Sequence, residues 1–271
     1  GAVSCRLVEN DPLRGSLEFQ WQIGKASMVK QIVRLAAGSR RLNFETEVDW
    51  DEDFKFLKVE FPVDVRSMFA TYEMQFGVTE RPTHYNTSYD FARFEVPGHK
   101  FVDLSEHGFG VGLLSESKYG FNTYGNKMAI SLLRATSFPD PAADRGLQRF
   151  AYAIMPHAGD WREAGVVAEG YRFNVPIRFV AGHAEPKSFF SCDNPNLVLD
   201  TVKRAEESDA TILRLYECHG GRGVARVTSR LPFKKATFTN GLEEEESPAV
   251  VEGSAVVVPF KPYQVITLKL D

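Results

Sequence analysis

The sequence predicts an all-β fold of packed antiparallel sheets, and three observations predict it. Apolar and polar residues alternate with period two along much of the chain, which puts one set of side chains on a core face and the other in water. The alternating stretches are short and are separated by polar or Gly/Pro breaks. Helical periodicity is scarce, which favours antiparallel sheets over an α/β arrangement.

The elements follow in order. Leu17, Phe19, Trp21 and Ile23 interleave with Glu18, Gln20 and Gln22, and Leu42, Phe44, Val48 and Trp50 repeat the pattern against Asn43, Glu45, Glu47 and Asp49. Both read as half-buried strands. From Phe54 to Phe61 the parity slips, with Phe54 and Phe56 on one phase and Leu57, Val59 and Phe61 on the other, and a β-bulge would permit that change of face. Met68, Ala70, Tyr72, Met74 and Phe76 form a further alternating set. Strands are also expected at 91–96, 109–114, 128–134, 150–155, 211–216, 224–231, 255–258 and 265–270. Residues 196–207 read as strand first, then as turn or short helix. Residues 180–191 mix small residues, Gly and Pro and are the best linker candidate. The acidic run 243–246 reads as a solvated hairpin tip.

Composition narrows the function. The chain has 271 residues, a net charge of -4 and 43% hydrophobic residues, which is enough for a sizeable core without staples. Three cysteines, Cys5, Cys192 and Cys218, form no Cys-x-x-Cys pair, so a reducing compartment is expected. No apolar run reaches the roughly 18 to 20 residues of a membrane span, and the first ten residues lack the features of a signal peptide. The acidic balance disfavours a nucleic-acid partner.

The densest polar and aromatic cluster is Arg81 to Glu106, which holds His84, Tyr85, Asn86, Asp90, Arg93, Glu95, His99, Asp103 and Glu106. Rings interleaved with amides and charges suit a sugar, because rings cover C–H faces and polar groups meet hydroxyls. The same stretch also fits a long surface loop. His99, Asp103 and His107 have a spacing that could ligate a metal on a helix, but Pro97 and Gly98 argue against a helix there. Asp90 with Glu95, or Asp103 with Glu106, could pair as glycosidase carboxylates, although 36 acidic residues supply such pairs by chance. There is no nucleophile elbow and no phosphate loop, and Cys218 before His219 reads as a buried structural thiol. Asn86-Thr87-Ser88 matches a glycosylation acceptor, which goes unused if the chain is never secreted.

Residues 68–120, MFATYEMQFGVTERPTHYNTSYDFARFEVPGHKFVDLSEHGFGVGLLSESKYG, resemble the C-terminal half of glycoside hydrolase family 38 α-mannosidases of the cytosolic or vacuolar class. FETEVDWDEDFKFLKVEFPVDV (44–65), SLLRATSFPDPAADRGLQRFAYAIMPHAGDW (131–161), NLVLDTVKRAEE (196–207) and LRLYECHG (213–220) resemble the same family in the same order. The resemblance implies a large antiparallel β-sandwich, part of a galactose mutarotase-like supersandwich and incomplete at its N-terminus, over residues 1–182. A smaller C-terminal β-sandwich would follow over 183–271. It implies a chain that begins in mid-domain, with the nucleophile and zinc ligands in an N-terminal catalytic domain upstream, so that no catalytic residue and no metal ligand falls on this chain.

What the resemblance places here is a wall of the active site. Arg81 would face the nucleophile, and His84, Tyr85, Asn86 and Asp90 would be further substrate contacts. The intact protein would be a retaining, zinc-dependent, homo-oligomeric cytoplasmic or vacuolar enzyme acting on mannose-containing oligosaccharides. A stand-alone mannose-binding module and a purely structural assembly domain are the competing readings.

Overall fold

A computed structural model describes residues 3–183, 185 and 187–271. The chain divides into two compact units, the first comprising Gly1–Met74 with Thr79–Ile177 and the second Gln75–Val78 with Arg178–Asp271. Each is an antiparallel sandwich of two sheets, and no described helix is long and apolar enough to cross a membrane.

The described elements up to residue 174 are, in order, β1 (Ser4–Asn10), β2 (Arg14–Ile23), β3 (Ser27–Ala36), β4 (Leu42–Trp50), β5 (Leu57–Pro62), β6 (Phe69–Met74), β7 (Gly77–Pro82), α1 (Ser88–Phe91), β8 (Val96–Pro97), β9 (Phe101–Glu106), β10 (Phe109–Ser115), β11 (Gly120–Tyr124), β12 (Lys127–Leu133), β13 (Gly146–Ala158) and α2 (Val166–Asn174), all in the first unit except the first two residues of β7. One sheet runs in the order β1, β2, β3, β4, β13, β10, β9, β6, β7, and the other in the order β5, β12, β11, β8. The predicted alternation builds the space between them. Val48, Trp50, Phe150 and Tyr152 of the first sheet share one core with Phe121, Met128 and Ile130 of the second. Phe44 stacks on Tyr152 at 5.1 Å and meets Phe61 at 5.6 Å, so rings from both sheets are joined at one point. Burying each such ring contributes about 1.5–3 kcal/mol.

Several local expectations are corrected. Residues 51–56 precede β5, so the parity slip marks a strand end, with Phe54 in a left-handed turn at φ 54. The register irregularity in that pair of strands lies on β12, between Ser131 and Leu133. The alternation from Met68 overruns its strand, since Phe76 sits in a turn at φ 57. The strand expected at 91–96 is absent because Phe91 ends α1 and only Val96 and Pro97 pair. The helix α2 was unannounced: it is nine residues long, and its buried Val166, Val167 and Gly170 lie over β9 and β10.

The second unit comprises β14 (Phe190–Cys192), β15 (Leu197–Arg204), β16 (Thr211–Glu217), β17 (Gly223–Ser229), β18 (Ala236–Thr239), β19 (Glu245–Pro248), β20 (Val250–Glu252), β21 (Ala255–Phe260) and β22 (Val265–Leu270). Its sheets run β14, β17, β21, β20 and β15, β16, β22, β18, β19. Leu213, Leu215, Val227, Val256, Val258 and Leu268 give an aliphatic core. The early part of 196–207 is strand as expected. The later part, expected as turn or short helix, continues as strand to Arg204 across a register break between Leu199 and Thr201, with Val202 exposed. Of the expected linker at 180–191, the described residues up to 189 carry no helix or strand, while Phe190 and Ser191 belong to β14; Ala184 and Pro186 lie outside the described residues.

The acidic run lies at the β18–β19 hairpin as expected, with Glu244, Glu245 and Glu246 exposed, and it is also paired with basic side chains. Glu243 binds Lys203 at 2.8 Å and accepts from Glu206 N at 2.9 Å, while Glu245 opens β19 and pairs with Lys235 at 2.9 Å. A like-charge run is stable there because basic side chains reach it from neighbouring segments.

Candidate functional site

The site is built from the β7 end onward. Thr83 is pinned on three sides: its N donates to Met68 O at 3.0 Å, its hydroxyl to Ser67 O at 2.7 Å, and its carbonyl accepts from Gly125 N at 2.7 Å. This fixes where Arg81 leaves the sheet and where the following turn begins. The turn ends in a capping box. Thr87 Oγ1 accepts from Asp90 N at 3.1 Å and donates to Asp90 Oδ2 at 2.7 Å, while Thr87 N donates to the same oxygen at 3.3 Å. Those bonds satisfy the N–H groups of Asp90 and of the N-cap Thr87 and hold the segment in a single turn.

Arg81, His84, Tyr85 and Asp90 converge on one small pocket with Tyr72, Arg93, Asn122 and Thr123. Asn86 does not line it; its backbone N donates to His84 Nδ1 at 3.3 Å. That bond engages one ring nitrogen and leaves Nε2 as the free edge. Asp90 Oδ2 is 3.9 Å from His84 Nδ1, too long for a hydrogen bond. The Thr87 hydroxyl, more than any other partner, holds the Asp90 carboxyl below its ordinary range, against the opposing effect of burial. Asp90 is therefore committed first to capping α1.

Arg81 is different. Its guanidinium carbon lies 4.5 Å over the Tyr72 ring, whose hydroxyl donates to Thr123 Oγ1 at 2.9 Å. Nη2 reaches Met74 Sδ at 3.8 Å, and Nη1 is buried with no hydrogen-bond partner among the described residues. Burial pulls the group below the ordinary arginine range, the mark of a cation without enough compensation. The enclosed space is about 20 Å³, room for one water-sized polar group and not for a sugar ring.

Tyr85 forms the rim. It stacks on Tyr124 at 4.2 Å, meets the edge of Phe91 at 6.1 Å, and accepts from Asn122 Nδ2 at 3.2 Å. Tyr72, Asn122, Thr123 and Tyr124 were missed by sequence reasoning. They arrive from β6 and β11, and nothing in their local pattern distinguishes them from ordinary strand residues.

The other sequence candidates separate. Asp103 lies on β9, not on a helix, and its Oδ2 meets His157 Nε2 at 2.8 Å in a fully buried pair that Ser105 also joins. Burial pushes that carboxyl above its ordinary range. His99 packs its ring 5.5 Å from Tyr119, and Glu106 accepts from Arg66 N at 2.6 Å. Glu95 accepts from Ser131 at 2.6 Å and pairs with Lys58. Among the described residues no three His, Cys, Asp or Glu side chains are grouped to hold a metal ion. Cys218 is a buried thiol whose pKa burial pushes up to about 12.

The glycosyl hydrolases family 38 C-terminal domain model matches residues 2–142, and the glycosyl hydrolases family 38 C-terminal beta sandwich domain model matches residues 196–268. Alpha-mannosidase 2C1 of Homo sapiens is 45% identical over 267 residues, covering 95% of this chain and 26% of that protein. Alpha-mannosidase G of Dictyostelium discoideum is 38% identical over 281 residues, covering 98% of this chain and 26% of that protein. The chain thus spans about a quarter of the length of these relatives. A crystal structure of an alpha-mannosidase from Enterococcus faecalis V583 shares the fold, with a TM-score of 0.83 at 17% identity over 99% of this chain and 35% of that one.

Proposed function

We propose, for a chain that belongs to glycosyl hydrolase family 38 and carries its C-terminal domains, that it forms one wall of the active site of a retaining α-mannosidase that removes terminal α-mannose from oligosaccharides. The observation that carries this reading is Arg81, whose buried Nη1 has no acceptor within the described chain. A carboxylate or hydroxyl brought by the catalytic part of the full-length protein would complete it. A charge-assisted bond from a poorly solvated guanidinium holds such a carboxylate in place, and a close cation keeps it ionised and able to attack the anomeric carbon. The pocket size agrees with one polar group entering while the sugar lies outside, against the Tyr85 rim.

The zinc is proposed to sit in the catalytic part of the full-length protein, and no step proposed for this chain's residues runs through it. His84 and Tyr85 are proposed as substrate contacts. Asn86 and Asp90 are proposed only as second contributors, since one lies outside the pocket and the other caps α1. We further propose domains at 1–182 and 183–271, a homo-oligomeric full-length enzyme, and a cytoplasmic or vacuolar location.

The test is Arg81→Ala in the full-length protein, assayed with an aryl α-mannoside. Turnover is expected to fall by about 10²–10³, as when one preorganised donor is lost, with an unchanged thermal midpoint. Arg81→Lys should recover only part of it, because an ammonium cannot both stack on Tyr72 and present a planar fork. Wild-type turnover in Arg81→Ala rejects the reading.

A further inference from the structure

A second surface adjoins the Arg81 pocket. Tyr85 and Asn122 line both that pocket and an open cleft of about 670 Å³, walled also by Phe56, Phe94, Lys58, Glu95 and Arg134. The volume lies in the range of small-molecule sites, about 300–1,000 Å³. Phe56 and Arg134 then continue into a further depression of about 470 Å³ that ends at Phe138. Phe94 is 66% exposed and Phe138 86%, so these rings are large apolar faces outside the core.

Polar contacts surround the rings at Phe94 and Phe56. Asn122 Nδ2 donates to Phe94 O at 2.8 Å as well as to the Tyr85 hydroxyl. Phe94 meets Phe91 edge-on at 5.8 Å. Lys58 and Arg134 lie 5.5 and 5.8 Å from the Phe56 ring centre, and the Lys58 charge is matched by Glu95. The cleft therefore presents ring faces beside an amide, a paired ammonium and carboxylate, and the Arg134 guanidinium, a mixture of apolar faces and hydrogen-bonding groups that suits a polyhydroxylated ligand better than an apolar chain.

We propose that this cleft holds the sugar units of the oligosaccharide beyond the one being cleaved, with Phe94 and Phe56 stacking on successive C–H faces and Asn122 at the junction with the Arg81 pocket. The assignment rests on the reading of that pocket as an active-site wall. It adds a specificity surface on this chain: oligosaccharides, and not short glycosides, would use it.

The experiment compares the full-length enzyme with its Phe94→Ala and Phe56→Ala variants on an α-linked mannopentaose and on an aryl α-mannoside, with Arg81→Ala alongside. Loss of a stacked ring is expected to raise KM for the pentasaccharide roughly fivefold to tenfold while both constants for the aryl mannoside stay within about twofold. Phe94→Tyr, which keeps a ring, should retain the wild-type pentasaccharide KM. Equal losses on both substrates would mean that the rings pack against protein, and no loss on the pentasaccharide would mean that they touch nothing; either overturns the assignment while a collapsed Arg81→Ala leaves the active-site wall standing. An unaffected Arg81→Ala overturns the wall, and this cleft's role with it.

Discussion

Arg81 in the first unit and Glu217 in the second are charged groups drawn into β-sandwiches, and they are treated in opposite ways. Glu217, with no exposed surface, accepts from His219 N, Gly220 N, Gly221 N and Tyr263 N at 2.8–3.0 Å, so the last residue of β16 gathers two turns around one carboxylate. Arg81 has a buried nitrogen with no partner among the described residues. Buried polar groups are normally satisfied, and a buried charge without compensation costs stability. A saturated charge is explained by the fold that surrounds it. An unsaturated one asks for a partner, and Arg81 lies where a rim of rings opens outward. Arg214 also has an unpartnered Nε, but its Nη2 donates to Gly241 O at 2.9 Å and it lines none of the three pockets around Tyr85 and Phe56.

The contrast can be broken most forcefully at Glu217. Glu217→Ala strands four N–H groups and should destabilise the second unit by about 3–5 kcal/mol, seen as a lowered urea midpoint, whereas Glu217→Gln should cost less because an amide oxygen still accepts. An unchanged midpoint in Glu217→Ala would remove the idea that this carboxylate organises the turns. A smaller effect is expected at the capping box beneath the Arg81 pocket. Thr87→Ala should cost the first unit about 1 kcal/mol, measured by the same denaturation, since it deletes the hydroxyl bonded to Asp90.

The smallest effect concerns a charge that, like Glu217, is satisfied within its own unit. Glu18 accepts from Arg6 Nε at 2.8 Å and from Gln20 at 2.8 Å, and chiefly through Arg6 it is held at about 2 against an ordinary 4.5. A depressed carboxyl stabilises the folded state fully above its unfolded value and loses that contribution as pH falls from about 4.5 through about 2. Glu18→Gln should therefore shallow the loss of thermal midpoint across that window and change nothing in its slope near pH 7. Identical acid profiles would mean that the Arg6 pair adds nothing.

The strands were legible where one face meets a core and the other meets water, as in β4, and the alternation also found β2, where Glu18 is nevertheless buried and Leu17 exposed. β6 was legible too, although its Thr71 and Glu73 are buried beside Ala70 and Tyr72 and both faces are covered. Legibility failed where local hydrogen bonding outcompeted apolar pattern. Thr87-x-x-Asp90 is a helix start written in polar residues, and the aromatic run after it suggested a strand instead. In the candidate site, Arg81, His84, Tyr85 and Asp90 could be found because they follow one another in the chain. Tyr72, Asn122 and Thr123 could not, because only sheet pairing brings β6 and β11 to the same place.

The central claim is that Arg81 holds a carboxylate ionised, and the acid limb of the pH profile tests it most directly. The measurement is kcat/KM for an aryl α-mannoside from pH 3.5 to 7 in the full-length enzyme and in Arg81→Gln. Removing a close cation raises the pKa of the carboxylate it faces, so the acid limb should move up by about one pH unit or more in the variant. A profile lowered at every pH with its acid limb unmoved would contradict the claim and leave Arg81 a packing residue.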